Sequence, residues 1–231
     1  MTLQAISKGF EYYKKFGLNF TIRILPLVIL FGFLVSIGPS QMLSEKLSNF
    51  DISILLINDF LISPLLIIIA IFIANDLIEK GDRDVLVYYL ISWKFLIKVL
   101  ILSLISGVGI LLGFLLFLIP GILIAGLLLF INYYAILENK SIGDSLNLSW
   151  KKASSNLANC IFMAAFFWLI KFFIAMIWFL YTMNYEELSQ IPQSYRFLSG
   201  CLAMYIQICL ISFPILVLYK NLSIDDVKDR I

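Results

Sequence analysis

Apolar residues run along this chain in long blocks separated by short polar stretches, and the blocks set out the elements. The first block has an amphipathic lead. Over residues 2–18, Leu3, Ile6, Phe10 and Tyr13 share one helical face, with Gln4, Lys8, Glu11 and Lys15 opposite. Glu11 and Lys15 stand at the favourable i,i+4 spacing. A short helix that is aromatic on one side and basic on the other predicts an in-plane interfacial helix over residues 1–19. A first span follows at 24–43, carrying Pro26, and a second at 52–74. The polar lead before the first span is too long for a signal peptide and no A-x-A-like site follows, which predicts an uncleaved anchor.

From residue 95 to 137 the chain is almost wholly apolar, with Lys98 near its start as the only charge. At 1.5 Å per residue that run is about 64 Å, roughly twice the hydrocarbon thickness of about 30 Å, so it must be two spans. Pro120-Gly121 is the break signal near its middle, which predicts spans at 95–119 and 121–137 with a tight turn over residues 119–122. Before it, a Tyr- and Trp-rich stretch at 85–93 has Asp82 as a candidate N-cap. After it, Ser141-Ile-Gly-Asp144 resembles a capping box and opens a second interfacial helix. Its apolar face is predicted from Ile142, Leu146, Trp150 and Ala153, opposite Asp144, Asn147, Lys151 and Ser154. A fifth span at 157–181, a sixth at 197–219 and a polar tail at 220–231 complete the chain. Three junctions combine aromatics with lysine: Tyr12-Tyr13-Lys14-Lys15, Trp93-Lys94 and Trp150-Lys151-Lys152. They are either headgroup-level anchors or the marks of a parallel three-fold repeat.

Composition turns this pattern into a class. The chain is 61% apolar and 14% charged, against roughly 45–50% and 25% in soluble domains. One buried core cannot hide that excess, so the expected fold is all-α: a single polytopic membrane domain of six transmembrane helices plus amphipathic interfacial helices. Orientation follows from lysine and arginine. Of the 17, only Lys46 and Arg196 fall on the far side of this topology and Lys171 falls within a span, so both termini are expected in the cytoplasm.

Composition also removes chemistry. With no histidine there is no Ser-His-Asp triad and no His-ligated zinc or haem. Cys160, Cys201 and Cys209 all lie in apolar runs and read as packing residues. The net charge of +2 carries no basic block that would suggest nucleic acid. The acidic pairs Glu186-Glu187, Asp82/Asp84 and Asp225-Asp226 fall in water-facing loops or the tail. No enzyme, metal or cofactor constellation emerges from these residues.

The polar residues within the spans are the remaining candidates. Lys171 lies near the middle of the fifth span, where a charge costs about 2.5–3.5 kcal/mol on insertion scales. Asp59 lies at a similar depth in the second span, so Asp59 and Lys171 form a candidate intramembrane pair. Small and polar residues also fall on single faces: Gly121, Ala125, Asn132 and Ala135 in the fourth span, and Ser106, Gly109 and Gly113 in the third. These suit close helix packing. At the basic end, Lys8, Lys14, Lys15, Lys151 and Lys152 are candidate contacts to anionic lipid headgroups, each worth about 1 kcal/mol near a charged surface.

The run Leu118-Ile-Pro-Gly-Ile-Leu-Ile-Ala125, followed by Ile142-Gly-Asp-Ser-Leu-Asn-Leu-Ser-Trp150, resembles the YciC-type inner-membrane proteins of Gram-negative bacteria. Phe166-Phe-Trp-Leu-Ile-Lys171, with its lysine inside a span, fits the same pattern. The membrane-anchor domain of some glycerophosphodiester phosphodiesterases is similar over this stretch, and with no catalytic domain within these 231 residues no hydrolase is expected. The resemblance implies a location, the bacterial inner membrane, and no site residues. The expected function is a non-enzymatic component of envelope or lipid homeostasis, acting through the lipid bilayer and its anionic lipids or through a membrane-protein partner. The alternative is a small transporter or permease-like protein that uses Asp59 and Lys171.

Overall fold

The computed structural model describes residues 1–38, 49–79, 81, 83–183, 185 and 191–228, with side chains outside that description at 49, 51 and 223–228. The elements are α1 (Thr2–Ile37), α2 (Asn49–Ile57), a π-helical turn (Asn58–Ile62) leading into α3 (Ser63–Glu79), α4 (Val85–Leu116), α5 (Leu118–Leu127), α6 (Ile131–Ile136), α7 (Ile142–Ser155), α8 (Leu157–Thr182), α9 (Gln193–Leu210) and a second π-helical turn (Ile211–Ile215) leading into α10 (Leu216–Lys228). Six helical stretches are long and apolar enough to cross a membrane, and no strand occurs among the described residues. This is the all-α polytopic bundle that the composition demands.

The spans alternate, so the bundle has two ends. At one, here the near end, lie the start of α1, the end of α3 with Gly81 and Arg83, the 137–141 turn, α7 and the near part of α10. At the far end Arg196 Nη1 donates to the Gly38 carbonyl at 3.2 Å, and Tyr195 stacks on Trp178 and Tyr181 at ring-centroid distances of 5.3 and 3.5 Å.

Residues 2–18 do not form a separate helix. α1 runs unbroken through Pro26 to Ile37. Its first half nonetheless lies along the near end. The Thr2 hydroxyl reaches Asn159 at the start of α8 at 2.7 Å, Gly9 packs on the Pro214 backbone, and Arg23 reaches Tyr88 at the start of α4. Residues 24–37 then enter the bundle, and Gly32 packs on Cys201. The two glycine contacts are 23 residues apart on α1, about 34 Å, but only 13 residues apart on the sixth span, about 20 Å. A straight α1 cannot make both, so it curves, with Pro26 as the helix's own source of a bend.

Two further expectations are corrected. The hairpin between the third and fourth spans turns at Phe117, not over 119–122. α4 ends at Leu116, Phe117 is extended (φ −171°, ψ 164°) and α5 has already begun at Leu118. Pro120 therefore sits in the first turn of α5, where a missing N–H costs nothing, so it starts a helix rather than stopping one. The hairpin is tight: a Cβ on Gly113 would stand 2.8 Å from the Gly121 Cα. The fourth span is also interrupted. α5 and α6 are separated at residues 128–130, and the break shifts the helical register, so Asn132 is only half-buried while Ala135 is fully buried.

Candidate functional site at the near end of the bundle

The interruption of the fourth span has a visible cause in α7. Ser149 Oγ donates to the Leu127 carbonyl at 2.9 Å and accepts from the Phe130 N–H at 3.2 Å. One hydroxyl thus satisfies both backbone groups that the broken ladder leaves open. The capping box predicted for α7 is present, with Asp144 N–H donating to Ser141 Oγ at 3.1 Å. Of the predicted inward face of α7, Ile142, Leu146 and Ala153 pack on the bundle, but Trp150 does not. Ser145, Ser149, Lys152 and Ala153 face the bundle, while Trp150 is 52% exposed. A face of small residues lets α7 approach the spans closely, and Trp150 and Lys151 are turned outward.

This rotation separates the two lysines expected to act alike. Lys151 is exposed, as are Lys8, Lys14 and Lys15. Lys152 is only 6% exposed, so it is not a headgroup contact. Its ammonium lies over Tyr219, 4.9 Å from the ring centroid, and over Tyr134 at 5.8 Å. Tyr133 stacks on Tyr219 at 5.3 Å and donates its hydroxyl to the Ile211 carbonyl in the second π-helical turn. The Tyr219 hydroxyl in turn donates to Glu138. Glu138 is held by the end of α6: Asn139 adopts a left-handed φ of 49°, and the Lys140 N–H returns to the Tyr134 carbonyl at 3.1 Å. That is the return bond of a Schellman-type helix end, with asparagine the non-glycine residue best suited to the left-handed position.

A second group of charges adjoins the first. Asp76, 5% exposed, accepts from the Tyr88 hydroxyl at 3.0 Å and from Arg83 Nε at 3.1 Å. Arg23 Nη1 reaches the Tyr88 hydroxyl at 3.4 Å, so α1, α3 and α4 meet at that hydroxyl, which donates in turn to Asp76. Glu79 pairs with Lys220 at 2.6 Å, tying the second span to the sixth. Between these groups opens a cavity of about 500 Å³, lined among others by Phe72, Asp76, Glu79, Arg83, Glu138 and Lys220. Among the described residues no set of three Asp, Glu or Cys side chains converges in a way that would hold a metal ion.

Asp59 and Lys171 do not meet. No ion pair joins them, and they occupy different parts of the bundle. α8 packs chiefly on α5, whereas the π-helical turn that carries Asp59 packs on α1. Their depths differ as well. Asp59 is 20 residues from the near end of its span at Glu79, about 30 Å, and Lys171 is 14 residues from the near end of α8 at Leu157, about 21 Å. Lys171 is instead served by its own helix, with its ammonium 4.8 Å from the Phe167 ring centroid and 5.5 Å from that of Trp168. Desolvated cation–π contacts worth about 2 kcal/mol or more each are enough to offset most of the insertion cost of about 2.5–3.5 kcal/mol. Asp59 is exposed near the far end of its span.

Several expectations fall outside the described residues: Lys46, Asp82 and the Glu186-Glu187 pair, together with the side chains of Asp225 and Asp226. Asp84, not Asp82, immediately precedes α4 and makes no side-chain cap. The Asp76 centre was the least visible feature of the sequence, since residues 75–84 read as an ordinary polar turn. The signal lay in Leu77 and Ile78, apolar residues after Asp76 that keep the helix packed beyond its charge.

The fold and this site together define an integral membrane bundle with an apolar middle and a dense polar centre at one end. No protein-family description, curated protein or solved structure matches the chain.

Proposed function

We propose that this chain is a YciC-type protein of the bacterial inner membrane with both termini in the cytoplasm. It acts without catalysis, as a component of envelope or lipid homeostasis, through contacts made at its near end. One observation carries this reading: the charged side chains that pair with one another gather around the near-end cavity, supplied by α3, α10 and the segments that carry Arg83 and Glu138, while Lys171 is paired with rings of its own helix. Exposed Lys8, Lys14, Lys15 and Lys151 lie at the same end and suit an anionic cytoplasmic leaflet. The transporter alternative rested on an Asp59–Lys171 pair, which is not formed.

Complementation tests the reading. Cells lacking the protein and challenged with membrane-active agents are expected to regain tolerance when supplied with Lys171→Met. They are expected to stay sensitive with a Glu79→Gln/Arg83→Lys/Glu138→Gln variant that accumulates to the same level. The reverse pattern would overturn it.

A further inference from the structure

The cavity at the near end has the size of a small-molecule site, about 500 Å³, within the usual range of about 300–1,000 Å³. Its charges are of both signs and already face each other: Asp76 with Arg83, and Glu79 with Lys220. A plain anion entering it meets carboxylates, and a plain cation meets Arg83 and Lys220. Only a ligand that carries both signs meets a partner at each step.

The spare bonding capacity is divided in the same way. Arg83 gives only its Nε to Asp76, which leaves the two terminal nitrogens of a half-exposed guanidinium at the cavity wall. That fork suits a phosphate. Glu138 takes the Tyr219 hydroxyl on Oε1, while its Oε2 stands 3.9 Å from the Lys140 ammonium, too far for a hydrogen bond. That oxygen suits a donor, and an ammonium is the donor that also matches its charge. Phe72 and Leu137 supply apolar wall between the two.

The cavity also lies where headgroups lie. Trp93 and Trp150 are exposed at the same end, at 55% and 52%, and exposed tryptophans mark the interfacial level of a membrane protein. We propose that the near-end cavity binds a phosphate-plus-primary-ammonium group, the headgroup chemistry of phosphatidylethanolamine, with the phosphate toward Arg83 and the ammonium toward Glu138. This deepens the reading of the near end as the working surface and depends on it.

The test uses the full chain purified in detergent and native mass spectrometry with phosphatidylethanolamine, phosphatidylcholine and phosphatidylglycerol of matched acyl chains. Phosphatidylethanolamine is expected to bind at least ten-fold tighter than the other two, because a trimethylammonium cannot donate to Glu138 and a glycerol headgroup carries no cation. Glu138→Gln keeps an acceptor for Tyr219, and Arg83→Lys keeps a cation beside Asp76. Glu138→Gln is expected to lose five-fold or more in phosphatidylethanolamine binding with phosphatidylglycerol binding unchanged, which also reports an intact fold. Arg83→Lys, at the residue that faces the phosphate all three lipids share, is expected to weaken all three. Displacement of the lipid by millimolar O-phosphoethanolamine would show that the headgroup alone is recognised. A preference without displacement would make the lipid itself the ligand. Equal binding of the three lipids with no binding of O-phosphoethanolamine, or a preference that survives Glu138→Gln, would overturn the proposal. Success of the complementation test alongside that failure would remove only the ligand and leave the near end as the working surface.

Discussion

Asp76 binds Tyr88 of α4 and Arg83 just before it, and its carboxylate sets what each of these partners can lose. Tyr88→Phe removes a hydrogen bond to a buried charged acceptor, and bonds of that kind are worth about 1.5–3 kcal/mol. Asp76→Asn keeps an acceptor for Tyr88 but removes the charge that faces Arg83. Each substitution is expected to lower thermal stability in detergent. The double variant should fall short of the summed losses, because Asp76→Asn takes the charge from the same bond that Tyr88→Phe removes. Additive losses would show that the two side chains act independently. Little of this was legible at the residue scale. The distinction between Lys151 and Lys152 rests on a rotation of about 100° around α7. Sequence periodicity predicts Ile142, Leu146, Trp150 and Ala153 inward, and the structure keeps all but Trp150 there and buries Ser145 and Ser149 beside them, because tight packing and a backbone hydroxyl bond outweigh burial of a tryptophan in a membrane setting.

The elements carry their own vulnerabilities. Ser149→Ala would leave the Leu127 carbonyl and the Phe130 N–H without their bridging hydroxyl. Leaving a buried polar group unpaired costs about 1–3 kcal/mol, so a clear drop in melting temperature is expected, whereas Ser154→Ala on the exposed side of α7 should change little. Gly113→Ala would force the α4–α5 hairpin apart at the Gly121 backbone, at a cost of about 1–3 kcal/mol typical of overpacking. Cysteine pairs placed across that hairpin would report the opening as a loss of cross-linking. The spans were legible from the apolar run lengths and the start of α7 from Ser141-x-x-Asp144, whereas the separate helix expected over residues 1–19 is one with the first span. Breaks were less legible. Pro120 signals a stop in sequence, yet its place in the first turn makes it a start, and the 128–130 break has no proline or glycine of its own. It depends on Ser149, nineteen residues further along the chain than Phe130.

At the scale of the whole molecule, charge is segregated along the bundle axis. Near-end carboxylates and cations knit the second, third, fourth and sixth spans together, and the apolar middle is held by close approaches such as Gly32 to Cys201. Composition alone revealed the membrane class, since an excess of apolar residues cannot be hidden in any soluble fold. It could not reveal the near-end centre, because Asp76, Tyr88, Arg23, Glu138 and Lys220 come from five separate segments and meet only in three dimensions. The central claim is therefore a dry middle and a working near end. The most direct measurement is thiol accessibility of Lys171→Cys in a background without Cys160, Cys201 and Cys209, using a membrane-impermeant reagent on each side. Cysteines placed at exposed Lys151 and Met183 serve as controls. The account predicts labelling at 151 from the cytoplasmic side only, at 183 from the opposite side only, and at 171 from neither. Labelling at 171 from either side would mean that water reaches the middle of the bundle, which would contradict the account and restore the transporter reading.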